Sequence, residues 1–190
     1  MVYSVIKKWF ILCVAGIALA STCSAAIEWT LHPAVYGDDG LTAPFVTAMV
    51  GSNEITYVPP TQWMASGARV FPPAKIEADG YFDVAAIQAP SDWTADRVKV
   101  LHDTVLSRMI PRGTANPGIV SEKVLPMQIG GMSAYEICFT YARFAQQFEE
   151  SVVFVEHGKT QLQIHFGSLK QDFADLHAAF LGSLFTLRGF

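Results

Sequence analysis

The sequence predicts an α+β domain with an antiparallel sheet and helices packed on it. Three observations carry that prediction. Ser151 to Glu156 (SVVFVE) and Thr160 to Phe166 (TQLQIHF) read as strands joined at His157-Gly158, and a tight hairpin makes its strands antiparallel. Leu169, Phe173, Leu176, Phe180 and Leu184 recur at spacings of 4, 3, 4 and 4, an apolar helical face that needs a cover. The order is strands, helix, strands, helix, which groups the two periods instead of alternating them regularly.

Each element has a local reason. Ile55 to Val58 (ITYV) is β-branched and aromatic, and Pro59-Pro60 ends it because proline cannot donate to a ladder. Ala68 to Phe71 is a short second strand closed by Pro72-Pro73. Tyr81 to Gln88 is a third, with Phe82, Val84 and Ala86 on one face and Tyr81, Asp83, Ala85 and Ile87 on the other. The period then changes. Ser91 or Thr94 can cap a helix whose face is Val98, Leu101, Val105 and Met109, and Pro111 and Gly113 stop it. A strand is expected over Ile119 to Ile129, then a turn at Gly130-Gly131. Met132 to Arg143 alternates, with Tyr135, Ile137, Phe139 and Tyr141 opposed to Ala134, Glu136, Cys138 and Thr140. Ser168 is the expected N-cap of the last helix.

The chain has 190 residues, 51% hydrophobic and 16% charged. Low charge and abundant aromatics exclude disorder as the main state. Lys plus Arg number 13 against 17 Asp plus Glu, so no basic excess points to nucleic acid. Residues 1–26 differ from the rest: Lys7 and Lys8, the apolar run Trp9 to Ala20, then the small residues Ser21 to Ala26. This is the three-part pattern of a signal peptide, and it predicts export to the periplasm or the extracellular space. The apolar run is shorter than the ~20 residues that span a bilayer; a retained anchor is the other reading of it. Cys23 follows Ala20, Ser21 and Thr22, a poor match to a lipoprotein signal, so the membrane is a partner only through the leader or a lipidated Cys23. Loss of the leader moves the balance from −4 to about −6 and leaves Cys138 as the one thiol. Residues 27–53 read as an N-terminal extension and 54–190 as one domain, with no linker or repeat dividing it.

From Glu54 to Phe185 the chain resembles the PsbP-like superfamily (the Mog/PsbP fold), including exported bacterial members of the DcrB-like kind. The resemblance rests on an ordered series: Ile55-Thr56-Tyr57-Val58-Pro59-Pro60 followed by Trp63, a central helix ending near Pro111, and Ile129-Gly130-Gly131. Tyr135-Glu136-Ile137, Val152-Val153-Phe154 and a terminal helix with Phe173, Phe180 and Ser183-Leu184 complete it. It implies an α/β/α sandwich around a central antiparallel sheet, and a role in binding or assembly with an envelope protein partner instead of catalysis. No partner-binding residue carries over.

The candidate site residues are Tyr57, Trp63 and Trp93, loop and strand-end aromatics of the kind that line a ligand groove or anchor a partner. A small-molecule or metal-binding module is the alternative reading. Cys138 with His157 or His165 as base is the one nucleophile candidate, and a buried thiol in a central strand is the plainer account. Asp172, Asp175 and His177, with Glu156 or His157, offer metal-ligand types. Asp175 and His177 are two apart on a helix and face away from each other. His102 and Asp103 are helix neighbours that cannot face one another, and Asp38-Asp39-Gly40 is a turn, not a calcium loop. The sequence therefore assigns no catalytic residue, no cofactor and no metal site.

Overall fold

A computed structural model describes residues 25–37, 40–41, 43–75, 77–90 and 92–190. Residues 1–24 of the leader, Cys23 among them, and Asp38, Asp39 and Ser91 lie outside the described residues. The first strands are β1 (Ala25–Ala26), β2 (Thr30–His32), β3 (Tyr36–Gly37), β4 (Gly40–Leu41), β5 (Phe45–Val50) and β6 (Asn53–Tyr57). Then come β7 (Met64–Ser66), β8 (Arg69–Phe71), β9 (Asp79–Ala86) and helix α1 (Ala95–Thr104), which runs into a π turn at Val105–Met109. The chain closes with β10 (Ala115–Val124), β11 (Ala134–Arg143), β12 (Gln146–His157), β13 (Thr160–Leu169) and helix α2 (Lys170–Leu184).

The main sheet has eight strands in the order β10-β11-β12-β13-β9-β8-β7, with β1 also on β9. All its pairings are antiparallel. A smaller sheet, β2-β5-β6, stands apart from it. The alternation read in β11 divides the sheet into two dry faces. Ala134 and Cys138 share a core with Val153, Val155, Leu162, Ile164, Phe166, Phe82 and the α2 residues Phe173, Phe180 and Leu184. Tyr135, Ile137, Phe139 and Tyr141 share the other with Val152, Phe154 and the helical Leu101 and Val105. This is the sandwich that the resemblance implies, with α1 on one face and α2 on the other.

The terminal stripe is largely buried: Phe173, Phe180 and Leu184 are in the core and Leu176 packs against it. Three fully buried side chains contribute about 6 kcal/mol before entropy is charged. Phe180 approaches β9 so closely that a Cβ at Gly80 would lie 2.6 Å from its ring. Residues 27–53, read from the sequence as an extension, pack into the same core through Ile27, Trp29, Val46, Ala48 and Val50. The ring of Trp29 meets Phe82 edge-on at 4.8 Å.

Three local expectations are corrected. The strand expected over Ile119 to Ile129 is β10 at Ala115–Val124, shifted toward the N-terminus. As an edge strand with two register shifts it accommodates Pro117 and Gly118, while Leu125 to Met132 turns back, closed by the Ile129–Met132 bridge. Ser168 does not cap α2: it belongs to β13, its hydroxyl donates to the Leu169 carbonyl at 3.0 Å, and the N-cap position is Leu169 with no side-chain bond. The last hairpin turns at Gly158-Lys159, because His157 still pairs with Thr160. Thr94 caps α1 as expected, its hydroxyl accepting from the Arg97 amide at 3.3 Å. The helical segment ends at Ile110, whose extended ψ of 126° is what the following Pro111 demands.

Candidate functional site

Only part of the α1 face is apolar. Over β11 and β12 it carries the aromatic and branched residues that α1 covers. Over β13 and β9 the same face presents Gln161, Gln163 and His165 beside Tyr81, Asp83 and Ala85, paired in register. The sequence dictates this: TQLQIHF alternates apolar residues toward α2 with polar ones toward α1. Two adjoining hollows result. One, of about 660 Å3, runs between α1 and the start of β13 and includes Arg97, Val100, Gln161 and Gln163. The other, of about 230 Å3, is lined by Tyr81, Asp83, Thr104, Arg108, Gln163 and His165.

His165 is the unusual member. It is 4% exposed, yet neither ring nitrogen has a hydrogen-bond partner among the described residues. Its ring stacks on Tyr81 with centroids 4.2 Å apart and planes within 6°. The Arg69 guanidinium stands over the Tyr81 ring at 5.1 Å and is itself paired with Asp79. Burial, aided by the Arg69 charge, pushes the His165 pKa down to about 3, so the imidazole is neutral at physiological pH. A neutral imidazole holds one N–H donor and one acceptor, and leaving both unmade in a buried place costs free energy.

The surroundings are directional. Gln163 Nε2 donates to Gln161 Oε1 at 2.7 Å, and Gln161 Nε2 donates to Glu156 Oε1 at 2.8 Å. Arg97 ends the relay as an ion pair to the buried Glu156. Every donor points toward Glu156, so the relay's free acceptor is the Gln163 carbonyl oxygen. Farther along, Glu150 lies across Gly167, where a Cβ would sit 2.7 Å from its Cγ. Tyr141 donates its hydroxyl to Glu150. Burial raises the Glu150 pKa, and this outweighs the lowering by Tyr141 and Arg69. Tyr81 is raised too, by burial first and then by Glu150 and Asp83.

A second cluster lies on the opposite face, under α2. His177 Nε2 donates to Glu136 Oε1 at 2.7 Å, and Lys123 Nζ lies 3.2 Å from Oε2. Burial alone would raise the Glu136 pKa; the hydrogen bond and charge of His177, with Lys123, hold it below the usual carboxylate range. Cys138 is adjacent, its thiol raised to about 11 by burial and the Glu136 charge against a hydrogen bond from Ser121. The ligand-type atoms of Glu136, Cys138 and His177 all lie within 4.8 Å of one another.

The structure does not bring Tyr57, Trp63 and Trp93 together. Tyr57 is fully buried and its hydroxyl meets Ser183 at 2.6 Å. Trp63 stacks toward Phe166 and Phe180 and borders a groove of about 320 Å3 lined by Leu31, Leu41, Pro44, Val58 and Pro60. Trp93 lies on the other side of the sheet, on Tyr135, with its indole N–H donated to Ser133 at 3.0 Å. Cys138 has neither expected base beside it. It points to the α2 core, His165 lies on the α1 face, and His157 is exposed at a turn. The metal-ligand types noted around the last helix also disperse: Asp172 pairs with Lys75, Glu156 with Arg97, and His177 with Glu136. The residues that do converge were visible only as face assignments, Glu136 with Cys138 and Gln163 with His165. Their partners come from 41 and 84 positions away, as His177 and Tyr81.

No family model matches the chain, and no curated protein matches it in sequence. Solved structures do match in fold. LpqN, involved in cell envelope biogenesis of Mycobacterium tuberculosis, has a TM-score of 0.52 at 14% identity over 86% of this chain and 91% of its own. The cyanobacterial PsbP (CyanoP) of Synechocystis scores 0.47 at 9% identity, covering 86% of this chain and 93% of that one. PA94 of Pseudomonas aeruginosa, a protein of unknown function, scores 0.43 at 13% identity over 84% and 95%. The chain thus shares its fold with LpqN, and a PsbP protein is among its structural neighbours.

Proposed function

We propose that the chain is an exported, non-catalytic binding module of the cell envelope that holds a small polar molecule in the cavity beside His165. The observation that carries this reading is the buried, uncharged imidazole with two unpartnered nitrogens lining a hollow. A site of this kind offers one donor and one acceptor at fixed positions, the Gln163 carbonyl oxygen as a second acceptor, and the exposed Arg108 guanidinium at the mouth. Such groups recognise; they do not by themselves move protons at neutral pH, because His165 resists protonation and Tyr81 resists ionisation. The envelope setting is supported by the three-part leader read from residues 1–26 and by the part LpqN takes in envelope biogenesis. No helix among the described residues is long and apolar enough to cross a membrane. The envelope partner implied by the resemblance belongs to the same reading.

The test is capture from an envelope fraction with the wild-type chain and with His165→Phe, followed by mass spectrometry of retained small molecules and proteins. The proposal expects a polar small molecule retained by the wild type and lost from the variant. Equal recovery on both, or none on either, counts against it.

A further inference from the structure

We propose that Glu136, Cys138 and His177 form a binding site for one divalent transition-metal ion of the zinc class. The site lies on the opposite face of the sheet from His165 and does not depend on the reading above.

The donor set is one carboxylate oxygen, one thiol sulfur and one imidazole nitrogen, within 4.8 Å of one another. Zinc takes these three types in a tetrahedral shell, and three protein donors leave one position for water. The sulfur and nitrogen disfavour calcium and magnesium, which want oxygen. The scaffold is rigid on both sides. Glu136 and Cys138 are two apart on β11, so they share a face of a strand paired along both edges. His177 comes down from α2 with its ring stacked on Phe173, centroids 4.7 Å apart and planes within 11°.

A separate observation points to a ligand at the same place. Ser151 sits directly opposite Cys138 in the β11–β12 register, on the same face. It is 1% exposed, and its hydroxyl has no hydrogen-bond partner among the described residues. Opposed residues on one face lie about 5 Å apart at Cβ, so Ser151 and Cys138 stand side by side on the sheet. A water in the fourth coordination position would satisfy the Ser151 hydroxyl. Glu136 Oε2 is likewise buried without a directed hydrogen bond. Its one cation is Lys123, whose side chain is 54% exposed and free to swing into solvent.

On binding, the Cys138 sulfur gives its proton to solvent, His177 gives up its Nε2 proton and keeps one on Nδ1, and the Lys123 ammonium leaves Oε2. Two anionic ligands and a neutral imidazole then balance the charge of the ion. The competing account is an ion triad of Lys123, Glu136 and His177 that is complete without metal. The two accounts differ over Lys123: in the triad it is a support, at a metal site it is a competitor.

Cobalt(II), titrated into the purified full chain, is the probe. The proposal expects a near-ultraviolet thiolate-to-cobalt charge-transfer band saturating at one ion per chain and displaced by zinc. Lys123→Met should tighten cobalt binding by about tenfold, the effect of removing one nearby positive charge, and Cys138→Ser should abolish the band. His165→Phe should leave the band unchanged, which separates this site from the cavity. Lys123 is half exposed, so its variant folds and decides the question even if the cysteine variant does not. Absence of the band at saturating cobalt, or unchanged or weakened affinity in Lys123→Met, overturns the proposal.

Discussion

Tyr81 lies flat against His165, ring centroids 4.2 Å apart, across the β9–β13 pairing. The pair is one step of a row, since Arg69 on β8 is opposite Tyr81 in the same register. Tyr81 and His165 floor the hollow beneath Thr104 and Arg108.

Replacing His165 with Phe keeps the stack and removes the two unpartnered nitrogens. Stability at pH 7 should rise by about 1–3 kcal/mol, measured by denaturant unfolding, at the expense of binding. The pH dependence follows from the depressed pKa of about 3. The unfolded chain takes up this proton near pH 6.5 and the folded chain does not. The wild type therefore loses stability as pH falls from about 6.5 toward 3, by on the order of 5 kcal/mol at the low end. The Phe variant should lack that component.

Glu136 works in the same direction by a different route. Its folded pKa is lowered despite burial, so its contribution is full above the ordinary carboxylate range and disappears as pH falls through the lowered value. Glu136→Gln should cost about 3 kcal/mol at neutral pH, as expected when one member of a buried pair is removed. A double-mutant cycle with His177→Gln should return a coupling energy above 1 kcal/mol.

Glu150 has the opposite sign. Its raised pKa means the folded state prefers the protonated acid. Stability is lost as pH rises from the ordinary carboxylate range through the raised value. Glu150→Gln keeps an acceptor for Tyr141 and should be more stable than the wild type at pH 8, with a flatter profile. Gly167→Ala should be destabilised by about 1–3 kcal/mol, because its methyl meets Glu150.

Tyr57 ties the small sheet to α2. Ser183 donates its own proton to the Phe180 carbonyl at 2.6 Å, so the Tyr57 hydroxyl donates to Ser183. Tyr57→Phe should cost about 1 kcal/mol and Tyr57→Ala about 3–5 kcal/mol, read as shifts in the unfolding midpoint without a change in cavity binding.

The architecture was legible where one period ran long enough to assign faces. Met132 to Arg143 and Thr160 to Phe166 alternate cleanly; both faces of the first and the α2 face of the second are packed as that alternation requires. The terminal stripe was legible for the same reason. β10 was not, because Asn116, Pro117 and Gly118 look like a loop unless the strand is known to be an edge. Ser168 has the right chemistry for a cap, but it is held in β13 by its pairing with Glu149. The sites were the least legible part. Tyr57, Trp63 and Trp93 stood out as aromatics, yet sequence gives no sign of which face of a sheet a loop reaches. The pairs that matter, Tyr81 with His165 and Glu136 with His177, are set by strand order and helix placement.

15N NMR of the His165 ring nitrogens across a pH titration decides whether the cavity is built around a buried, uncharged imidazole. The account predicts a neutral imidazole from pH 8 down to about 4, with ring-nitrogen signals that shift when the captured small molecule is added. A His165 that titrates near 6.5 would contradict it, for the residue would then be solvated and the cavity would not be built around it.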